Sequence, residues 1–124
     1  MKIKLCGLTR PCDIEAVNEL QPDYIGFVFA KKSRRYVSPE KAEELKAMLA
    51  PGIQAVGVFV NEEPEQIVSL LEAGTIDVAQ LHGQEGEREI RRLRELTDHL
   101  LIQAFRIDTE QDVERANAST ADYV

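Results

Sequence analysis

The sequence predicts an α/β fold built from parallel βαβ units, and two observations carry that prediction. Short runs rich in β-branched and aromatic residues recur along the chain as KIKLC, YIGFVF, IQAVGVFV, IDVAQL and LLIQAF, with DYV beginning a sixth. Each run is almost continuously apolar, as expected of strands buried on both faces of a parallel sheet. A helical pattern separates each run from the next, which predicts right-handed βαβ units in one domain over residues 1–124.

The helices between these runs are predicted from apolar residues three or four positions apart. Ser38 and Pro39 give one helix a capping hydroxyl and a proline in its first turn. The segment 108–111 supplies a cap and early acidic charge for the last helix, and Gly74 suits the end of the third. The expected buried faces are Ile14, Val17 and Leu20; Ala42, Leu45, Met48 and Leu49; Ile67, Leu70 and Leu71; Ile90, Leu93 and Leu96; and Val113 and Ala116.

Two architectures use βαβ units in this way: an open, doubly wound sheet and a closed (β/α)8 barrel. The length of 124 residues favours the open sheet, because a barrel takes at least about 200 residues. The final DYV reads as a strand interrupted after three residues. The pattern therefore fits either a short open sheet or a barrel without its last third.

The composition indicates a globular protein, since 44% of the residues are hydrophobic and 30% charged. A net charge of −7 argues against a nucleic-acid partner. No apolar run approaches the roughly 20 residues of a membrane span, and no leader pattern opens the chain. Cys6 and Cys12 have the spacing of neither a zinc site nor a redox pair, so we expect free thiols and a cytoplasmic protein.

Ligands of α/β folds bind at the carboxyl ends of the strands, so the residues that follow each apolar run are the candidate site. Taken alone, each has a structural interpretation: Cys6 as a small core residue, His82 as a structural histidine, 31–35 as a solvated loop, and Arg106 as the partner of a nearby carboxylate. Their shared position instead favours a site for a small anionic molecule. The residues in question are Cys6–Arg10, Lys31–Tyr36, Asn61, Gln80–Gly83 and Phe105–Arg106.

Several alternatives lack their motifs. No G-x-G-x-x-G or G-x-x-x-x-G-K-[ST] follows the first run, so the sequence gives no support for a dinucleotide or nucleoside triphosphate. The acidic pair of a receiver domain is replaced by Cys6-Gly7. No His, Cys, Asp or Glu set has metal-ligand spacing, so no metal or other cofactor is expected.

Five motifs together resemble the phosphoribosylanthranilate isomerase family of tryptophan biosynthesis, whose fold is a (β/α)8 TIM barrel. They are KIKLCGLTR, GFVFAKKSRRYVS, VGVFVN, DVAQLHG and IQAFR, in the family's order. The resemblance implies an incomplete barrel of about five βα units plus the start of strand 6. It assigns the general base to Cys6 and contact with the anthranilate carboxylate to Arg35, with Arg34 standing where relatives commonly carry proline. Gln80, His82 and Arg106 match positions in the pocket wall.

The reaction implied by the resemblance is an Amadori rearrangement without a cofactor. N-(5-phosphoribosyl)anthranilate becomes 1-(o-carboxyphenylamino)-1-deoxyribulose 5-phosphate. An acid protonates the ring oxygen as the furanose opens to a Schiff base, and a base removes the proton on sugar C2. A thiol suits the base role, since thiols with a modestly lowered pKa supply thiolate near pH 7.

The resemblance places the general acid on an aspartate at the end of strand 6, beyond Val124, and the phosphate-binding turns later still. Asp122 matches the start of that strand and is not assigned the acid role. We therefore expect the 124 residues alone to be inactive and to self-associate through open sheet edges or to need a complementary fragment. The alternatives are a non-catalytic partial-barrel or flavodoxin-like domain that binds a small anion, and another phosphosugar barrel enzyme.

Overall fold

The computed structural model describes residues 1–124 as one parallel sheet with a helix after each strand. Proline occupies the first turn of α1, α2 and α3, where its missing N–H is not needed. The strands are β1 Lys4–Cys6, β2 Tyr24–Val28, β3 Gln54–Phe59, β4 Val78–Leu81 and β5 Leu100–Gln103; the helices are α1 Pro11–Leu20, α2 Pro39–Ala47, α3 Pro64–Glu72, α4 Glu87–Leu96 and α5 Glu110–Ala118.

The strand order is sequential, β1-β2-β3-β4-β5, with every neighbouring pair parallel. Right-handed crossovers that always step in the same direction place their helices on one face of the sheet. A doubly wound sheet instead reverses its strand order, so the doubly wound topology, including the flavodoxin-like alternative, is wrong. The topology is that of a TIM-barrel-type sheet, and over these residues it is not closed.

The outer face of the sheet, defined by Ile25, Phe27, Ala55, Phe59, Ala79, Leu81 and Leu101, carries the hydrophobic core. All seven side chains are almost completely buried. They pack against apolar residues of α1 to α4, among them Ile14, Leu45, Ile67 and Leu93. At about 25 cal/mol per Å² of apolar surface removed from water, this face supplies most of the stabilising free energy.

The inner face is defined by the side chains that alternate with those of the outer face: Lys4, Cys6, Tyr24, Gly26, Val28, Val56, Val58, Val78, Gln80, Leu100 and Ile102. Four valines at its centre are buried. Lys4 in β1 nevertheless donates a hydrogen bond to Gln80 in β4, across β2 and β3. In a flat sheet those strands lie about 14 Å apart, farther than a lysine side chain reaches, so the sheet curves and this face is concave.

The predicted sixth strand begins where expected. Tyr123 forms a parallel bridge with Ile102, and its carbonyl accepts a hydrogen bond of 3.0 Å from the amide of Gln103. The Asp122 carboxylate pairs with Arg94 near the end of α4 and accepts a bond of 2.8 Å from the amide of Leu101, early in β5. Asp122 therefore lies toward the amino-terminal end of the sheet, away from the carboxyl rim.

Most of the predicted helix faces and caps are present, with three exceptions. Ser38 Oγ caps α2 by accepting from the amide of Lys41 at 3.1 Å, and Gly74 follows α3 with φ of 76°. Leu20 ends α1 and is 71% exposed, because the left-handed Gln21 turns the chain there. Met48 lies beyond the last turn of α2, and Val113 is exposed because α5 buries no residue. None of the helices combines the length and apolar character that a membrane span requires.

Candidate functional site

Cys6 is the last residue of β1, and its side chain faces the inner side of the sheet at the carboxyl rim. The thiol lies over Gly26, its register partner in β2. A Cβ placed on Gly26 would stand 2.6 Å from the Cys6 sulfur and 3.2 Å from the Cys6 Cα. Because Gly26 has no side chain, there is room for the Cys6 sulfur above it. Cys6 is exposed to solvent.

Arg35 reaches Cys6 from the loop between β2 and α2. Its Nη1 donates to the main-chain carbonyl of Cys6 at 3.2 Å. The guanidinium passes so close to Gly7 that a Cβ there would collide with it, and Gly7 also has φ of +87°. Only glycine suits both demands, so the turn after β1 is built to accept Arg35. No hydrogen bond joins the Arg34 side chain to the rim.

The turn from Gly7 to Arg10 is fixed by Asp13 in the first turn of α1. One carboxylate oxygen accepts from the amides of Thr9 and Arg10 at 3.0 Å, and the other accepts from the Arg10 guanidinium. The Thr9 amide, followed by the Arg10 side chain, lowers the pKa of Asp13 below its usual value. Asp13 is therefore ionised at neutral pH and holds the segment that follows the thiol.

Gln80 and His82 lie further round the rim, on β4 and just beyond it. The half-buried Gln80 accepts a hydrogen bond from the Lys4 ammonium through Oε1. His82 is exposed; its amide donates to the carbonyl of Phe59 at 2.8 Å, while its ring makes no hydrogen bond to another residue. Lys4 thus links the strand that carries the thiol to the strand that carries the amide.

Arg106 stands apart from the other predicted residues. Its side chain is 87% exposed and its Nε pairs with the Asp108 carboxylate at 3.0 Å. It borders a shallow depression between the loops that follow β4 and β5, shared with Gly83 and Arg115. The structure therefore brings Cys6 and Arg35 together and places Gln80 near them through Lys4, whereas Arg106 has a neighbouring carboxylate as its partner.

The site contains two residues that were not predicted as part of it, Lys4 and Gly26. Period-two alternation along KIKLC puts Lys4 and Cys6 on the same face, a signal that could have found Lys4. Gly26 depends on the register between β1 and β2, which the sequence does not specify. No group of three His, Cys, Asp or Glu side chains in the structure is arranged to hold a metal ion.

A sequential parallel sheet, helices on its outer face and polar side chains on its carboxyl rim define the class: a TIM-barrel-type α/β protein. Residues 3–124 match the family model described as N-(5'phosphoribosyl)anthranilate (PRA) isomerase. The chain belongs to that family. Over 115 residues it is 43% identical to the N-(5'-phosphoribosyl)anthranilate isomerase of Thermoanaerobacter sp. strain X514, and the match covers 93% of this chain and 55% of that protein.

Solved structures agree with this assignment. The phosphoribosyl anthranilate isomerase of Thermotoga maritima superposes with a TM-score of 0.86 at 37% identity, covering 99% of this chain and 60% of that one. A second crystal structure, of the isomerase in complex with reduced 1-(o-carboxyphenylamino)-1-deoxyribulose 5-phosphate, gives 0.82 at 40% identity and covers 94% and 59%. The chain thus spans a little more than half the length of the relatives it matches.

Proposed function

We propose that this chain is the base-bearing part of a phosphoribosylanthranilate isomerase. The observation that carries the proposal is the junction of Cys6 and Arg35: an exposed thiol seated over Gly26, with a guanidinium bonded to the carbonyl of the same cysteine. The family model covers 122 of 124 positions, counted from residue 3 to residue 124. A relative of solved structure is in complex with reduced 1-(o-carboxyphenylamino)-1-deoxyribulose 5-phosphate.

In the proposed reaction Cys6 acts as the general base. After the furanose opens to a Schiff base, the thiolate takes the proton from sugar C2, and the electron pair of that C–H bond forms the enolamine double bond. Tautomerisation of the enolamine gives the ketone, with no net oxidation or reduction. The exposed position of the sulfur allows a substrate carbon to approach it, and the strand that holds it is fixed by pairing with β2.

We assign the anthranilate carboxylate to Arg35 rather than to Arg34. One N–H of the Arg35 guanidinium is engaged by the Cys6 carbonyl, which leaves four donors for a bidentate interaction with an anion. That bond also ties the cation to the residue that carries the thiol. Gln80, His82 and Arg106 complete the proposed pocket wall, with Arg106 changing partner from Asp108 to the ligand.

The decisive experiment replaces the matching segment of the Thermotoga maritima isomerase with residues 1–124 of this chain. The chimera then contains the later strands, to which the family resemblance assigns the general acid and the phosphate site. We expect it to consume N-(5-phosphoribosyl)anthranilate, followed through anthranilate fluorescence. Cys6→Ala should lower kcat about 10²- to 10⁴-fold, whereas Cys12→Ala, which removes the other exposed thiol, should leave it unchanged.

A chimera that folds but turns over no substrate would contradict the isomerase proposal. An active chimera with the same kcat after Cys6→Ala would contradict only the role of Cys6. In the same background Arg35→Ala should raise KM about tenfold or more, through loss of a charge-assisted pair, and Arg34→Ala should raise it less. Equal effects of the two arginine variants would remove the reason for choosing Arg35.

Residues 1–124 on their own should be inactive, cytoplasmic and prone to self-association. The outer strands of the sheet, β1 and β5, are edges, and Tyr123 pairs with β5 at a single bridge. Unpaired strand edges join other edges readily. Size-exclusion chromatography should show dimers or larger species; a monomer that turns over substrate would contradict both expectations.

A further inference from the structure

The inner face contains one cation that the reaction as described above does not use. Lys4 is half-buried and lies on the same face as Cys6, two residues earlier in β1. It forms none of the ion pairs of the chain. Its partner is instead the neutral amide of Gln80, on the far side of four buried valines. A half-buried ammonium with a single neutral partner is unusual, because desolvating a charge is costly.

This contact fixes the orientation of the Gln80 amide. An ammonium group has three donors and no acceptor, so the amide must turn its oxygen toward Lys4. The Nε2 group then points away from Lys4. It donates to no other residue of the chain, and it is not among the fully buried polar atoms that lack a partner. Gln80 therefore presents a free, solvent-accessible pair of N–H donors.

The strand register indicates where those donors face. Lys4 pairs with Tyr24, whereas Gln80 pairs with Val58, which pairs with Val28, four residues further along β2. Lys4 therefore approaches Gln80 from the amino-terminal side of the sheet. The opposite end of the amide faces the carboxyl rim, where His82 follows β4.

We propose that Lys4 is a positioning residue that holds the Gln80 amide so that Nε2 donates to an oxygen of the bound substrate. This role rests on the proposed isomerase function, since it assumes an oxygen-rich phosphosugar ligand at the rim. Lys4 acts only through Gln80 and touches no reacting atom. The Gln80 amide adds a neutral donor to the cationic donors of Arg35.

A double-mutant cycle tests the proposal in the chimera with the later strands of the Thermotoga maritima isomerase, with reduced 1-(o-carboxyphenylamino)-1-deoxyribulose 5-phosphate as the probe and calorimetry as the readout. Lys4→Met and Gln80→Leu should each raise the Kd about fivefold, the value of one hydrogen bond. The double variant should bind no more weakly than either single variant, because both remove the same interaction. Lys4→Arg should restore most of the affinity, and Lys2→Met, at an exposed lysine of the same segment, should have no effect.

Additive losses in the double variant would overturn the proposal, because they would mean that Lys4 and Gln80 act independently. Unchanged binding in both single variants would overturn it as well. If Lys4→Met fails to fold, Gln80→Glu replaces it. This variant keeps the shape and the contact with Lys4 but removes both donors, so a Kd equal to that of the wild type would refute the role of Nε2.

A second measurement needs no ligand and separates this proposal from the proposed function. The side-chain NH₂ resonances of Gln80, assigned by their loss in Gln80→Leu, should shift in Lys4→Met and stay in place in Lys2→Met. Resonances that do not respond to Lys4→Met would refute the positioning role. If the wild-type chain shows this response but the chimera does not bind the probe, the proposed function fails while the orienting contact stands.

Discussion

The two faces of the sheet differ in what they contribute, and β5 displays the difference in neighbouring residues. Leu101 faces outward and is completely buried in the core beneath the helices, whereas Ile102 faces inward and is half-buried on the concave side. The same alternation separates Leu5 from Lys4 and Cys6 in β1. Because successive side chains of a strand point to opposite faces, the outer residues stabilise the fold and the inner residues are free to form a site.

The largest expected effect is on the outer face. Leu101→Ala should lower the free energy of unfolding by about 2–5 kcal/mol, because it leaves a cavity in a closely packed core. Ile102→Ala should cost less than half as much, since its side chain is already partly in water. Urea unfolding followed by far-UV circular dichroism measures both. Equal losses would mean that the inner face stabilises the fold as strongly as the outer face does.

Two glycine-to-alanine substitutions, one on each face of the sheet, compare the faces by adding a single methyl group. Gly57→Ala puts a Cβ 2.6 Å from Ile76 Cδ1 in the core, so we expect a loss of about 1–3 kcal/mol from overpacking. Gly26→Ala instead meets the Cys6 sulfur, which can rotate away, so the stability loss should be smaller. Alkylation of Cys6 by iodoacetamide should change rate in Gly26→Ala and stay unchanged in Gly57→Ala. The opposite result would mean that the thiol does not rest on Gly26.

The smallest effect concerns α5, which buries no residue on the outer face and depends on its cap. The amide of Asp108, then the Arg115 guanidinium and Thr109, lower the pKa of the Asp112 carboxyl. A lowered pKa stabilises the fold above the unfolded value of about 3.9, and this contribution is lost as the pH falls through the folded value. Asp112→Asn should therefore be less stable than the wild type at pH 7, with the difference shrinking below about pH 4. A difference independent of pH would assign the effect to hydrogen-bond geometry rather than to charge.

The repeating pattern of strands and helices was predictable because it depends on local periodicity. The buried face of α3 and the capped starts of α2 and α5 fall where the sequence predicts, and the sixth run begins a strand that pairs with β5. The residues alone did not decide between an open doubly wound sheet and a barrel, because strand order is a long-range property. Length even favoured the wrong alternative. The prediction that Val113 is buried was wrong for a related reason. Helical spacing identifies an apolar face but does not show whether another element covers it.

The candidate site was predictable as a set of loop positions but not as a set of contacts. Cys6 and Gln80 were identified because they lie at the carboxyl ends of apolar runs. The bond from Arg35 to a main-chain carbonyl, the space left by Gly26 and the reach of Lys4 across the sheet all depend on register and curvature. Arg106 was also identified from its position after a strand, but position alone did not reveal its partner. Its guanidinium pairs with the nearby Asp108 carboxylate.

The hydrogen bond between Arg35 and the carbonyl of Cys6 has an entropic consequence. Ordering a long side chain upon binding costs roughly 0.5–1.5 kcal/mol, and here folding has already restricted the rotamers of Arg35. An incoming anion would meet a guanidinium that is already bonded to the last residue of β1. Any shift of that strand therefore moves the cation and the sulfur together. The spacing between the two groups is thus preserved by the main chain, and a lysine at position 35, with its flexible stem and single point of charge, would not reproduce it.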